Sequence, residues 1–70
     1  MRYAIIVEKT DTNYCVYVPD LPGCVATGTT VEEAQAEIRE AIEFHIEGLR
    51  EDGLPVSVPA SQVGYVEAAA

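Results

Sequence analysis

The spacing of hydrophobic residues between Gly28 and Gly53 predicts one long amphipathic helix. At 100° per residue, one side of this helix collects an apolar stripe made of Val31, Ala34, Ile38, Ala41, Ile42, His45 and Leu49. The opposite side collects carboxylates and a single aromatic ring, namely Glu33, Glu37, Glu40, Phe44, Glu47 and Glu51. One side of the helix is therefore suited to packing, and the other is strongly acidic.

Both ends of the predicted helix carry local signals. Thr30 is a good N-cap because its hydroxyl accepts from a first-turn amide, and Glu33 can reach back to the N–H of the cap. At the other end, Gly53 suits the left-handed conformation that closes a helix, and Pro55 prevents its continuation. Local sequence signals therefore predict both the start and the end of the helix.

Short apolar segments on both sides of the helix predict strands. Residues 3–8, 14–18 and 24–27 precede the helix, and residues 62–67 follow it. The first segment is continuously apolar, which favours a central strand covered on both faces, and a polar turn links it to the second as a hairpin.

This order of elements predicts an α+β fold, βββαβ, with an antiparallel meander and the long helix on one face. We expect the final strand to add beside the first. Residues 1–67 form one domain in this interpretation, and residues 68–70 form a frayed tail.

A rigid loop separates the second and third strands. Its two prolines remove two backbone hydrogen-bond donors, so the simpler interpretation is that the loop is a stiff corner. The alternative is that the loop recognises a partner. The loop consists of Pro19, Asp20, Leu21, Pro22, Gly23 and Cys24.

The predicted sheet is too small to be covered on both sides. If Tyr3, Ile5 and Val7 face the helix, a second apolar set lies on the far face, where no other helix is available: Ala4, Ile6, Cys15 and Tyr17. An uncovered apolar face is usually an association surface, so we expect a homo-oligomer, most simply a two-fold dimer. A helix of about 33 Å should also overhang strands of about 20 Å.

Composition narrows the function classes. The chain has a net charge of −8 and is 49% hydrophobic. Such a surface repels phosphates and suits a basic partner, although acidic charge also serves solubility alone. With Cys15, Cys24 and a single histidine, no zinc or other metal site is expected, and no cofactor is implied. Neither a leader nor a membrane-spanning stretch is apparent, so we expect a cytoplasmic protein with free thiols.

One combination of motifs resembles the HicB family of antitoxins. The motifs are VPDLPGC at residues 18–24, followed by Gly28, Thr30, Glu33-Ala34 and Glu40-Ala41-Ile42. The resemblance covers nearly the whole chain. It implies a truncated ribonuclease-H-like fold and a non-catalytic role in binding and blocking a HicA-type toxin, a small protein that cleaves messenger RNA.

The chain departs from the HicB pattern in two places. Position 29, often acidic in the family, is Thr29. Many members also carry a C-terminal DNA-binding segment, for which 70 residues leave no room, so we expect no direct nucleic-acid binding. An orphan oligomeric or regulatory protein without a toxin is the alternative function.

The helix and strands carry three further candidate sites. Phe44 within the acidic side is suited to anchoring a partner protein or to closing a homodimer seam. His45 lies in the apolar stripe, where packing is the simpler role and pH sensing the weaker one. A metal-dependent nuclease would need carboxylates such as Glu8, Glu37 and Glu67, but their placement along the elements is poor.

Overall fold

The computed structural model describes residues 1–69 as three short strands followed by one long helix. The strands are β1 (Ile6–Lys9), β2 (Tyr14–Tyr17) and β3 (Val25–Gly28), and the helix is α1 (Val31–Glu51). Both strand pairs are antiparallel and the sheet order is β1-β2-β3. The α+β class, the meander and the long helix are therefore confirmed.

The N-terminus of α1 is capped by Thr30, whose hydroxyl accepts from the Glu33 N–H at 3.1 Å. The return bond differs from the prediction, because the Glu33 carboxylate accepts from the Thr29 hydroxyl at 2.7 Å rather than from the cap amide. Glu32 and Glu33 also place negative charge at the positive end of the helix dipole. Thr29 and Thr30 therefore both form side-chain hydrogen bonds with Glu33 at the start of the helix.

The C-terminus of α1 closes as predicted at Gly53, which has a φ of 69°. The Gly53 N–H donates to the Arg50 carbonyl at 3.1 Å, and the Leu54 N–H donates to the Leu49 carbonyl at 2.8 Å. This pair of bonds is the Schellman arrangement, which satisfies carbonyls that the helix leaves unpaired.

The hydrophobic core lies between α1 and the sheet. Six side chains are buried there: Val16, Val18, Leu21, Cys24, Ala34 and Ile38. The helix packs across β3 and β2, while Tyr3, Ile5 and Val7 lie half-buried at the margin, on the helix side as predicted. Most of the apolar stripe therefore packs on only two of the three strands.

Two predictions about the sheet are wrong. Residues 3–8 do not form a central strand, because β1 pairs only with β2 and lies at an edge. Residues 62–67 form no strand. The sequence of an apolar run does not specify which strand it pairs with. Residues 62–67 make no backbone hydrogen bonds within the described chain. Of the predicted tail, residues 68 and 69 are exposed, and Ala70 lies outside the described residues.

The far face of the sheet carries apolar side chains that α1 does not cover. Ile6 lies opposite Tyr17, and Tyr17 lies opposite Val25, so these three residues form one row across the strands. Ala4, Ile6 and Cys15 are half-buried, and Tyr17 is exposed. The 21-residue helix, about 32 Å long, overhangs strands of about 13 Å, as expected. Within residues 1–69, no helix combines the length and apolarity needed to cross a membrane.

Gly28 allows the end of β3 to approach the first turn of the helix closely. A Cβ built on Gly28 would lie 2.9 Å from the Cα of Ala34 and closer still to its backbone nitrogen. Backbone atoms at that distance have no flexible side chain that could move away. The contact between β3 and α1 therefore requires a residue without a side chain at this position.

We expect Gly28→Ala to lower the free energy of unfolding by about 1–3 kcal/mol, the usual cost of an added methyl group in a packed site. Gly48→Ala is the matched control, because a Cβ on Gly48 meets nothing within 4 Å. In the helix interior this second change should stabilise by about 0.5–1 kcal/mol. Urea unfolding of the two variants measures both effects, and equal effects would show that β3 and α1 do not meet as described.

Candidate partner-binding surface

The acidic side of α1 is a continuous row that we call the acidic stripe, defined as Glu33, Glu37, Glu40, Phe44, Glu47 and Glu51. All six side chains are exposed. Their spacing alternates between three and four positions, which aligns them along one side of a helix. The stripe is therefore a real surface feature, with five carboxylates and one aromatic ring open to solvent.

Phe44 is 79% exposed and stands beside β3, where it forms one wall of an open groove. Val25, itself 65% exposed, and Ala41 line the same groove. Glu37 and Glu40 line the same groove. We call this feature the Phe44 groove, and its lining combines apolar side chains with two carboxylates.

The groove continues toward the end of the helix past His45, Gly48 and Leu49, with Cys24 beneath them. His45 is half-buried among these neighbours, which agrees with the predicted packing role. Burial raises the pKa of the Cys24 thiol, so this group is a poor nucleophile at neutral pH. Cys15 and Cys24 are both free thiols.

Within residues 1–69, no carboxylate of the acidic stripe forms a salt bridge. The single salt bridge among residues 1–69 joins Arg39 to Glu43 at 3.6 Å, and neither residue belongs to the stripe. Arg50 lines a cleft together with Glu47 and Glu51 but forms no salt bridge with either of them. The stripe therefore projects its negative charge into solvent, where it can act on a cationic partner.

The carboxylates considered for a nuclease site do not converge. Glu8 ends β1, Glu37 lies in the acidic stripe, and Glu67 lies in the extended C-terminal segment. Across the described part of the chain, no three acidic, histidine or cysteine side chains are grouped closely enough to hold a metal ion.

The loop at residues 19–24 is a tight corner built into the core. The Val18 N–H donates to the Cys24 carbonyl at 3.2 Å, and the Cys24 N–H donates to the Leu21 carbonyl at 3.1 Å. Leu21 and Cys24 are buried, Gly23 adopts a φ of 82°, and Pro19 and Pro22 are exposed. The backbone of this loop therefore forms the stiff corner that the prolines predict.

Asp20 has a role that the sequence analysis missed, because it holds the segment that follows the helix. One carboxylate oxygen accepts from the Ala60 and Ser61 N–H groups, each at 2.9 Å, and the other accepts from the Ser61 hydroxyl at 2.8 Å. We call this set of bonds the Asp20 clamp. Nearby, the Tyr3 hydroxyl donates to the Ser57 carbonyl at 2.6 Å.

The Asp20 clamp lowers the pKa of the Asp20 carboxyl, chiefly through the Ser61 N–H, then the Ala60 N–H and the Ser61 hydroxyl. These donors favour the ionised form. The stability they contribute is therefore present at neutral pH and is lost as the pH falls through the lowered pKa.

Val25 is the second functional candidate that the sequence analysis missed. The alternation of side chains in β3 turns Ala26 toward the helix and Val25 away from it. That alternation was readable from the sequence once β3 was predicted. The pairing with Tyr17, and the position of Val25 beside Phe44, depend on the three-dimensional register.

Comparison with known proteins places these features in a family. Residues 3–70 match the family model described as the HicB-like antitoxin of bacterial toxin-antitoxin systems. A 14.9 kDa protein from the rep-hol intergenic region of Haemophilus phage HP1 is 50% identical over 64 residues, which are 89% of this chain and 48% of that protein. Antitoxin HicB 2 of Photorhabdus laumondii is 36% identical, over 87% of this chain and 52% of its own length.

A solved structure shares the fold. A chain of the HicA3 and HicB3 toxin-antitoxin complex superposes with a TM-score of 0.74 and 33% sequence identity, covering 86% of this chain and 70% of that one. The 70-residue chain thus spans about half the length of the phage protein and of Antitoxin HicB 2.

We expect the amide proton shifts of Ala60 and Ser61 to titrate with the Asp20 carboxyl, with a midpoint below its usual value near 4. Two-dimensional NMR across pH 2–7 measures this midpoint. In Asp20→Asn both amides should lack the titration and resemble the acidic form at every pH. A midpoint of about 4 or higher would mean that the three bonds do not form in solution.

Proposed function

The chain belongs to the HicB-like antitoxin family, and we propose that it neutralises a small basic HicA-type toxin by direct protein contact. Family membership indicates an antitoxin role without catalysis, so no catalytic residue is proposed. A HicB chain in a toxin-antitoxin complex shares its fold, which supports a HicA-type protein as the partner. HicA-type toxins act on messenger RNA, so we propose that the complex forms in the cytoplasm.

The observation that carries the proposal is the Phe44 groove with its border of unpaired carboxylates. An RNA-cleaving toxin must present cationic groups to hold phosphates. The acidic stripe offers the opposite charge along a helix of about 32 Å, and no ion pair within the described chain competes for it. Bound there, the antitoxin would occupy the surface that the toxin needs for RNA.

The apolar part of the groove is suited to the tight centre of the interface. Charge complementarity chiefly accelerates encounter, whereas buried aromatic and aliphatic contacts hold a complex together. Phe44 and Val25 are both exposed and line the same groove, so they would form such a pair of anchors. Association would bury both side chains and leave the flanking carboxylates at the rim.

Self-association is a second proposal, supported by the uncovered far face of the sheet. Ile6, Tyr17 and Val25 form a row of apolar side chains there, beside Ala4 and Cys15. A homodimer through this face would serve an orphan regulatory oligomer, and in an antitoxin it would share Val25 with the toxin interface. Val25 is the one residue that the groove and the far-face row have in common.

We expect the double reversal Glu40→Lys and Glu47→Lys to weaken the toxin complex at least about tenfold and to flatten its salt dependence. The toxin candidate is the product of an adjacent small basic reading frame, captured by co-expression and then titrated by calorimetry at several salt concentrations. The matched control is Asp11→Lys with Glu43→Lys, which changes the net charge equally outside the stripe. If both doubles lose affinity equally, net charge rather than the stripe drives binding.

We expect Phe44→Ala to weaken the same complex by about 2 kcal/mol or more, roughly 30-fold, as for a central interface aromatic. Phe44 is 79% exposed, so the free energy of unfolding should barely change. Val58→Ala is the control, since Val58 is 70% exposed in the segment after the helix and outside the groove. An unchanged dissociation constant for Phe44→Ala would place the docking surface elsewhere.

A further inference from the structure

The Phe44 groove brings together side chains that place opposite demands on a bound group. Val25 and Ala41 contribute aliphatic surface, and Phe44 contributes a ring that is 79% exposed. Glu37 and Glu40 contribute carboxylates. A purely apolar group bound there would displace water from the carboxylates without giving them a partner, which is costly. The groove therefore favours a group that is apolar along its length and cationic at its end.

The described part of the chain places no cation of its own in the groove. The four basic residues of the protein are Arg2, Lys9, Arg39 and Arg50, and none of them lines the groove or its continuation toward the end of the helix. Arg39 pairs with Glu43, and Arg50 lines a different cleft. The complementary charge therefore has to come from another molecule.

The spacing along α1 lets one cation contact the ring and a carboxylate together. Glu40 precedes Phe44 by four residues, so their Cβ atoms are about 5–6 Å apart on the same side of the helix. A cation is attracted to an aromatic face when it lies within about 6 Å of the ring centre. Glu37 lies one more turn along the same side. A cation held over Phe44 is therefore also within reach of Glu40.

Arginine meets these requirements better than lysine does. The guanidinium group is planar, stacks on aromatic rings, is more weakly hydrated than an ammonium group, and bonds to a carboxylate through two N–H groups at once. Its aliphatic stem can lie along Val25 and Ala41. Thr27, an exposed residue of β3, also lines the groove and adds a hydroxyl that can accept a further N–H.

We propose that the Phe44 groove binds one arginine side chain of the toxin, whose guanidinium stacks on the Phe44 ring and donates N–H hydrogen bonds to Glu40 and Glu37. The identity of the partner rests on the proposed function, and the chemistry of the bound group goes beyond it. Glu47 and Glu51 belong to the same acidic stripe but do not line the groove, so they contribute only long-range attraction.

Short blocked peptides test the chemistry of the groove without any toxin. In NMR titrations of the full chain, we expect the tripeptide Ala-Arg-Ala to shift the Phe44 ring resonances. It should bind at least about threefold more tightly than the same peptide with lysine or norleucine at its centre. Glu37→Gln with Glu40→Gln should weaken the arginine peptide at least about fivefold. The matched control, Glu47→Gln with Glu51→Gln, changes the net charge equally and should weaken it less than about twofold.

The toxin complex gives the second measurement, with the candidate captured by co-expression. Phe44→Trp supplies the aromatic ring that binds cations best and should retain the affinity of the original chain. Phe44→Leu keeps an apolar side chain but has no ring face, and it should weaken the complex at least about fivefold. Because Phe44 is exposed, both variants should keep the same helix content by circular dichroism.

Each contrary result identifies a different error. Equal binding of the arginine and lysine peptides overturns the proposal in favour of charge alone, and equal binding of the norleucine peptide overturns it in favour of an apolar occupant. Phe44 resonances that move when the chain alone is diluted would show a second copy in the groove instead. A toxin that binds Phe44→Leu and Phe44→Trp equally well overturns the arginine contact and leaves the antitoxin role intact. A toxin that does not bind at all refutes the antitoxin role, and the peptides still decide the chemistry of the groove.

Discussion

Packing of one helix against part of one sheet face is the constraint on which the whole molecule depends. Ala34 and Ile38 of α1 meet Val16 and Leu21 in a core of only six buried side chains. Gly28 brings β3 close enough for this contact to form, and the capping bonds at both ends preserve the full length of the helix. A domain of this size has little hydrophobic stabilisation to spare, so each of these local features is significant.

The same constraint leaves surfaces that only another molecule can cover. One helix has one packing side, so the acidic stripe faces solvent along its whole length. A sheet covered on one face leaves Ile6, Tyr17 and Val25 in a row on the other, and a three-stranded sheet has two free edges. With no buried polar or charged residue among those described, the chemistry of this chain is concentrated on its surface. Such a distribution is typical of a protein that acts by binding.

Local signals were enough to predict α1, its Thr30 cap, its Gly53 end and the stiff corner before β3. Each of these depends on residues within a few positions of one another. The edge position of β1, the unpaired segment at residues 62–67 and the Asp20 clamp depend on residues far apart in sequence. Periodicity carries no information about such partners, so the acidic stripe with Phe44 could be predicted, whereas the position of Val25 beside Phe44 could not.

The Asp20 clamp also bears on the order in which the chain folds. It joins positions 41 residues apart, with the third strand and the entire helix between them. Closing so long a loop is entropically costly until the intervening elements are in place, whereas the hairpin and the helix need only near neighbours. On this argument we expect the clamp to form late in folding, so that its bonds slow unfolding more than they change the refolding rate. A single carboxylate would then slow the unfolding of a domain whose core has only six buried side chains.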